Sequence, residues 1–87
     1  MNVSIDISMY PLKENYISAI QGFIDALNSY AEISVKENPM STQVFGEYRT
    51  AMKIVQDEIE KSSGEDPQVI FVMKVIPFDV INELPSS

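Results

Sequence analysis

Asn38-Pro39-Met40-Ser41-Thr42-Gln43-Val44-Phe45-Gly46-Glu47-Tyr48 changes its pattern twice. Asn38-Pro39 is turn chemistry, because Pro fixes its own φ and pushes the residue before it towards extended backbone. Residues 41–45 then read as the returning strand of a hairpin. Gly46 closes that strand, and from Glu47 the apolar spacing becomes helical. Small side chains with hydroxyl and amide groups, beside a Gly where backbone can approach closely, also suit a site for a small polar ligand.

Working outward, residues 32–37 alternate, with Ile33 and Val35 against Glu32, Ser34 and Lys36, and form the first arm of the hairpin. Downstream, Tyr48, Ala51, Met52, Val55 and Ile59 make the inner stripe of a helix over 47–61. Glu47 lies in its first turn, where a carboxylate meets the positive end of the helix dipole. Ser62-Ser63-Gly64 reads as its stop, and Glu65-Asp66-Pro67 leads into a strand over 68–76. That strand is apolar on both faces, Val69, Phe71, Met73 and Val75 on one and Ile70, Val72 and Ile76 on the other, broken only by Lys74. Such a pattern predicts that both faces are covered.

Upstream, Tyr16, Ile17, Ile20, Phe23, Ile24, Leu27 and Tyr30 form one stripe of a helix over 14–30. Gly22 inside it costs about 1 kcal/mol relative to Ala, and close packing against the sheet is the expected reason for it. Residues 3–10 alternate cleanly, Val3, Ile5, Ile7 and Met9 against Ser4, Asp6, Ser8 and Tyr10, and Pro11 ends that strand. The order strand, helix, strand, strand, helix, strand predicts a ferredoxin-like βαββαβ sandwich of α+β class. It has a four-stranded antiparallel sheet with both helices on one face. Residues 1–77 make the domain and 78–87 a tail, in which Phe78, Val80, Ile81 and Leu84 are apolar; whether the tail packs on its own domain or on a neighbour stays open.

Composition narrows the function. Eighty-seven residues make one domain, and a chain of that size buries only about 60–65% of its unfolded surface, so self-association would help it. Six basic against thirteen acidic residues, a net charge of −7, argue against nucleic acid or an anionic membrane as partner. Without Cys or His, disulfides, thiolate chemistry, transition-metal sites and Ser-His nucleophiles are not expected. No stretch resembles a signal peptide or a membrane span, which predicts a cytoplasmic protein without membrane insertion.

The helix-free side of such a sheet carries Asp6, Ser8, Tyr10, Gln43, Phe45, Lys74, Ile70 and Val72. It mixes polar groups with enough apolar area to need covering, so a second subunit is expected there, as a homodimer or homotetramer. Polar groups trapped between two sheets need partners, and a small molecule can supply them.

The run Asn38-Pro39-Met40-Ser41-Thr42-Gln43-Val44-Phe45-Gly46-Glu47, with the opening strand ending Tyr10-Pro11-Leu12, resembles the YkoF-related thiamine- and hydroxymethylpyrimidine-binding proteins, a branch of the small thiamine-binding superfamily. The likeness spans residues 3–77. It implies a ferredoxin-like domain that oligomerises through its sheet and binds thiamine or its hydroxymethylpyrimidine moiety unchanged, in vitamin salvage or transport. Neither an enzyme activity nor a cofactor is implied. The family's ligand site would fall on Ser41, Thr42 and Gln43, with Asp6 and Ser8 from the first strand. Larger members carry two such domains in tandem; with one domain, the paired site would come from a homodimer.

The residues suit that ligand. An aminopyrimidine offers a donor amine and ring-nitrogen acceptors, matched by hydroxyls, an amide and a carboxylate. Asp6 or Glu47 would accept from the amine, and Tyr10, Phe45 or Tyr48 would stack on a ring. Each residue also has a plainer role. Asp6 would pair with Lys74 across the strands, Ser41 and Thr42 would be ordinary hairpin residues, Glu47 would stabilise a helix start, and Phe45 and Tyr10 would pack an interface. Enzymes of this fold that bind phosphate need a cationic first loop, and Tyr10-Pro11-Leu12-Lys13-Glu14-Asn15 has neither Arg nor Gly. RNA-binding relatives need aromatics and basic residues on the third strand, and Gln43-Val44-Phe45 has one aromatic and no basic group. The alternatives that remain are a sensor of another small ligand and a structural oligomer with no ligand.

Overall fold

The alternating opening segment forms β1, Asn2–Pro11, whose Val3, Ile5 and Ile7 are fully buried on one face. In the computed structural model, which describes residues 1–65 and 67–82, it is followed by α1 (Tyr16–Asn28), β2 (Ser34–Glu37), β3 (Thr42–Glu47), α2 (Tyr48–Glu65) and β4 (Val69–Ile76). The four strands form one antiparallel sheet in the order β2-β3-β1-β4, so the fold is the ferredoxin-like βαββαβ sandwich. Among the described residues no helix is long and apolar enough to cross a membrane.

The core lies between the sheet and the two helices. Val3, Ile5, Ile7 and Val44 meet Phe23 and Leu27 of α1 and Ala51, Ile54 and Val55 of α2. Period two on the strands and the helical stripes direct these side chains to the same side, and full burial of each Val, Ile, Leu or Phe contributes roughly 1.5–3 kcal/mol. Gly46 stands within β3 rather than after it. A Cβ there would come within 3.1 Å of Ile33 Cγ2 and 3.4 Å of the Glu32 carbonyl oxygen, so the absence of a side chain lets the segment leading into β2 lie close against β3.

Several expectations are corrected. The stop at Ser62-Ser63-Gly64 does not operate, and α2 continues to Glu65. Weak helix formers cost no more than about 1 kcal/mol each, whereas Pro67 disfavours helix in what precedes it, so the proline sets the end. α1 begins at Tyr16 and ends at Asn28, and its first turn is poorly covered, with Ile17 68% exposed. Gly22 is exposed and a Cβ would meet nothing within 4 Å, so close packing on the sheet does not explain it. On α2, Ile54 and Glu58 are buried although neither was in the expected stripe. Finally, the helices pack mainly over β1, β2 and β3. That leaves β4, at the sheet edge, with Ile70, Val72, Met73 and Val75 partly exposed, so its two apolar faces are not both covered within one chain.

The described part of the tail, residues 78–82, packs on its own domain. Ser4 Oγ donates to the Phe78 carbonyl at 2.8 Å and accepts from the Val80 N–H at 3.1 Å. The Asp79 carboxylate then accepts from the Ile81 and Asn82 N–H groups and from the Asn82 amide, which folds 79–82 into a turn. Leu84 lies outside the described residues.

Candidate functional site

The strand register decides which of the predicted residues meet. Lys36, Gln43, Asp6 and Lys74 stand abreast on the helix-free face, one from each strand. Ser34, Phe45, Ser4 and Ile76 form the row on one side of them. On the other side Ser8 lies beside Val72, and Tyr10 beside Ile70. A polar band therefore crosses the face, flanked by rows in which serines alternate with Phe45, Ile76, Val72 and Ile70.

Within that band, Asp6 Oδ1 accepts from Ser41 Oγ at 2.7 Å and from Gln43 Nε2 at 2.6 Å. Gln43 Nε2 also reaches Ser41 Oγ at 2.9 Å, and Asn38 Nδ2 donates to Gln43 Oε1. The hairpin turn, closed by the Asn38 N–H to the Ser41 carbonyl at 2.9 Å, brings Asn38 and Ser41 to this place. Asp6 Oδ2 faces Lys74 Nζ at 3.8 Å, beyond hydrogen-bond length, and the lysine side chain is largely exposed. One carboxylate oxygen is thus held by two neutral donors, while among the described residues the other meets a solvated cation. A pair of that kind contributes little, and a ligand with a positively charged or strong donor group can displace it.

Ser8 Oγ donates weakly to the Met40 carbonyl at 3.4 Å, one residue from Ser41. Beside these residues opens a cavity of about 460 Å³ between the end of β1, the start of α1 and the β2–β3 turn. Tyr10, Tyr16, Ile20 and Met40 give it apolar walls, and Ser8 and Ser41 mark its polar rim. The size lies within the range of small-molecule sites, about 300–1,000 Å³.

Three of the predicted residues do not join the cluster. Thr42 pairs with Ile7 and is buried on the helix side, because period two sends it opposite to Ser41 and Gln43. It meets the cavity from beneath rather than the polar band. Glu47 lies at the far end of β3 opposite Asn2, and its carboxylate accepts from the Arg49 and Thr50 N–H groups and the Thr50 hydroxyl. These bonds hold its carboxyl below the usual range, and they cap α2. Phe45 shares the helix-free face but lies on the tail-covered side of the band. Sequence reasoning missed Asn38 as a member of the network, and Tyr16, Ile20 and Met40 as cavity walls. Asn-Pro read only as a turn, and helical periodicity assigned Tyr16 and Ile20 to the core.

The Gln43 amide, then the Ser41 hydroxyl and the Lys74 charge hold the Asp6 carboxyl below its usual value, against burial, which acts the other way. The unfolded chain then binds the proton more readily, so this contribution to stability is complete above about pH 3.9, the unfolded value, and is lost as pH falls through the lower folded one. Urea titrations between pH 5 and pH 2 are expected to show a steeper loss for the parent protein than for Asp6→Asn. Equal slopes would mean that Asp6 is not held in this way.

The arrangement offers a carboxylate, hydroxyl and amide groups that can bind a small polar molecule. Among the described residues no group of three or more His, Cys, Asp or Glu side chains could hold a metal ion.

No family model matches the chain, and no curated protein does. Solved structures do. A Streptococcus pneumoniae protein superposes with a TM-score of 0.83 at 24% identity, over 95% of this chain and 93% of its own. A Thermotoga maritima protein described as a candidate for thiamine biosynthesis or salvage gives 0.78 at 17% identity, over 92% and 86%. A domain of unknown function from Bacillus cereus gives 0.71 at 16%, over 87% and 75%. At these identities the likeness establishes the shared fold.

Proposed function

We propose that this protein binds thiamine or its hydroxymethylpyrimidine moiety without chemical change, as a homo-oligomer joined through the helix-free sheet face, in vitamin salvage or transport. The observation that carries the reading is Asp6, whose Oδ1 is fixed by Ser41 and Gln43 while Oδ2 faces the solvated Lys74, with Ser41 of the same network lining an aromatic-walled cavity. An aminopyrimidine fits that pairing: its amine donates to the carboxylate, its ring nitrogens accept from hydroxyl and amide groups, and its ring lies against Tyr10 or Tyr16. The thiazolium cation of thiamine is further favoured by a chain of net charge −7. The Thermotoga structure adds a neighbour of the same fold whose description names thiamine. The apolar residues around the polar band, Ile70 and Val72 among them, support burial of this face by a second copy.

Calorimetric titration with thiamine and with hydroxymethylpyrimidine tests the reading. Saturable binding tighter than about 1 mM is expected, equivalent to about 4.1 kcal/mol or more. Asp6→Asn is expected to weaken it at least tenfold, about 1.4 kcal/mol. No heat with either compound at millimolar concentration would overturn the assignment. Native mass spectrometry would then tell a sensor, with another small molecule carried on the oligomer, from a purely structural assembly.

A further inference from the structure

We propose that the outer edge of β4 is a second interface, at which two copies of this chain pair β4 against β4 and join their sheets into one of eight strands. The two edges of the sheet differ. β2 has four residues, and Ser34, Lys36 and Glu37 make it short and polar, which is how natural sheets guard an edge. β4 has eight residues, Val-Ile-Phe-Val-Met-Lys-Val-Ile, without Pro and with one charge. Among the described residues it pairs only with β1. Its free side therefore offers a row of backbone donors and acceptors flanked by exposed apolar side chains on both faces, Val72 at 54% on one and Met73 at 38% on the other.

Those features specify the occupant. Backbone groups along an edge are satisfied by another strand, and side chains exposed above and below call for a strand that is apolar on both faces. Among the strands of this chain, β4 itself is the one with that pattern. Antiparallel pairing about a two-fold axis is isologous, so one residue faces itself. With the axis at Met73, Phe71 lies opposite Val75 of the second copy on the helix side. Lys74 lies opposite Val72, and Ile70 opposite Ile76, on the other. The lysines do not face each other, each stays beside its own Asp6, and residues 70–76 all find a partner. This contact differs from packing of the helix-free faces; the two together make a dimer of dimers.

The chain has no cysteine, so Met73→Cys gives a clean probe. Directly opposed residues in an antiparallel pair have Cβ atoms about 4.5–5.5 Å apart, close enough for a disulfide after small adjustment. Under mild oxidation Met73→Cys is expected to cross-link at least tenfold faster than Gln56→Cys, a control on the exposed side of α2. Packing of the helix-free faces does not bring the two Met73 positions together, because Met73 lies on the helix side opposite Ile7. Met73→Glu alone is expected to weaken association at least tenfold by placing two carboxylates opposite each other, and mixing it with Met73→Lys to restore the parent mass in light scattering. Cross-linking no faster than the control, or a mixture that behaves as its separate components, would overturn the proposal. Neither readout involves the ligand, so a failed thiamine titration and a failed edge pairing are separate results.

Discussion

Replacing Leu27 by Ala is expected to lower the free energy of unfolding by about 2–5 kcal/mol, the range for large-to-small changes in a packed core. Leu27 is fully buried at the point where α1 meets the sheet, in one cluster with Val3, Ile5, Val44 and Val55. Truncation removes its transfer free energy and leaves a space that strand residues held by ladders on both sides cannot collapse to fill. A small domain has roughly 5–15 kcal/mol in total, so the change takes a large share of it. Urea unfolding at pH 7 checks this. A loss below about 1 kcal/mol would mean that α1 repacks and that the core is looser than its burial indicates.

Leu27 belongs to the part of the fold that was legible in the chain. Clean period two in β1 and the stripe through Phe23, Ile24 and Leu27 are local patterns, and their order led to the sandwich without knowledge of any contact. What was not legible depended on position in the sheet. The alternation of β4 said that both faces were apolar, but not that β4 would be an edge lying mostly outside the cover of the helices. From the pattern alone, covering by the chain's own helices and covering by another molecule look the same. Likewise Ser62, Ser63 and Gly64 carry a local preference against helix that the continuation of α2 to Glu65 overrides, and only Pro67 imposes a stop that tertiary context cannot relieve.

The candidate site divides along the same line. Asp6, Ser41 and Gln43 share a face by parity, and parity is readable once β1 and β3 are recognised as neighbours. The same parity counts against Thr42, whose place in a run of hydroxyls suggested a site but whose direction is inward. Glu47 was legible as a helix-start residue, and that is the role its bonds display. The walls of the cavity come from α1 and the hairpin turn. Their approach is a matter of tertiary packing and leaves no local signal in either segment.

Tyr30→Phe is expected to destabilise the fold by about 1.5–3 kcal/mol, the range for hydrogen bonds to a charged group. The Tyr30 hydroxyl donates to Glu58 Oε2 at 2.7 Å, and Glu58 is only 3% exposed. Lys61 Nζ reaches the same oxygen at 3.5 Å, but from a side chain that is mostly in water. Without the phenol, a buried carboxylate keeps one distant, solvated partner, and its desolvation is no longer offset. Glu58 was invisible as a core residue because a carboxylate on a helix rich in Glu and Lys reads as solvent-facing. Only the chain bend that brings Tyr30 back after α1 gives it a reason to be inside. The double substitution Tyr30→Phe with Glu58→Met separates the explanations. Both polar groups are then gone, and the loss is expected to shrink to about 1 kcal/mol or less, since replacing both partners by apolar groups is nearly neutral. Additive losses would show that the two side chains act independently and that the bond is incidental to the packing of α1 against α2.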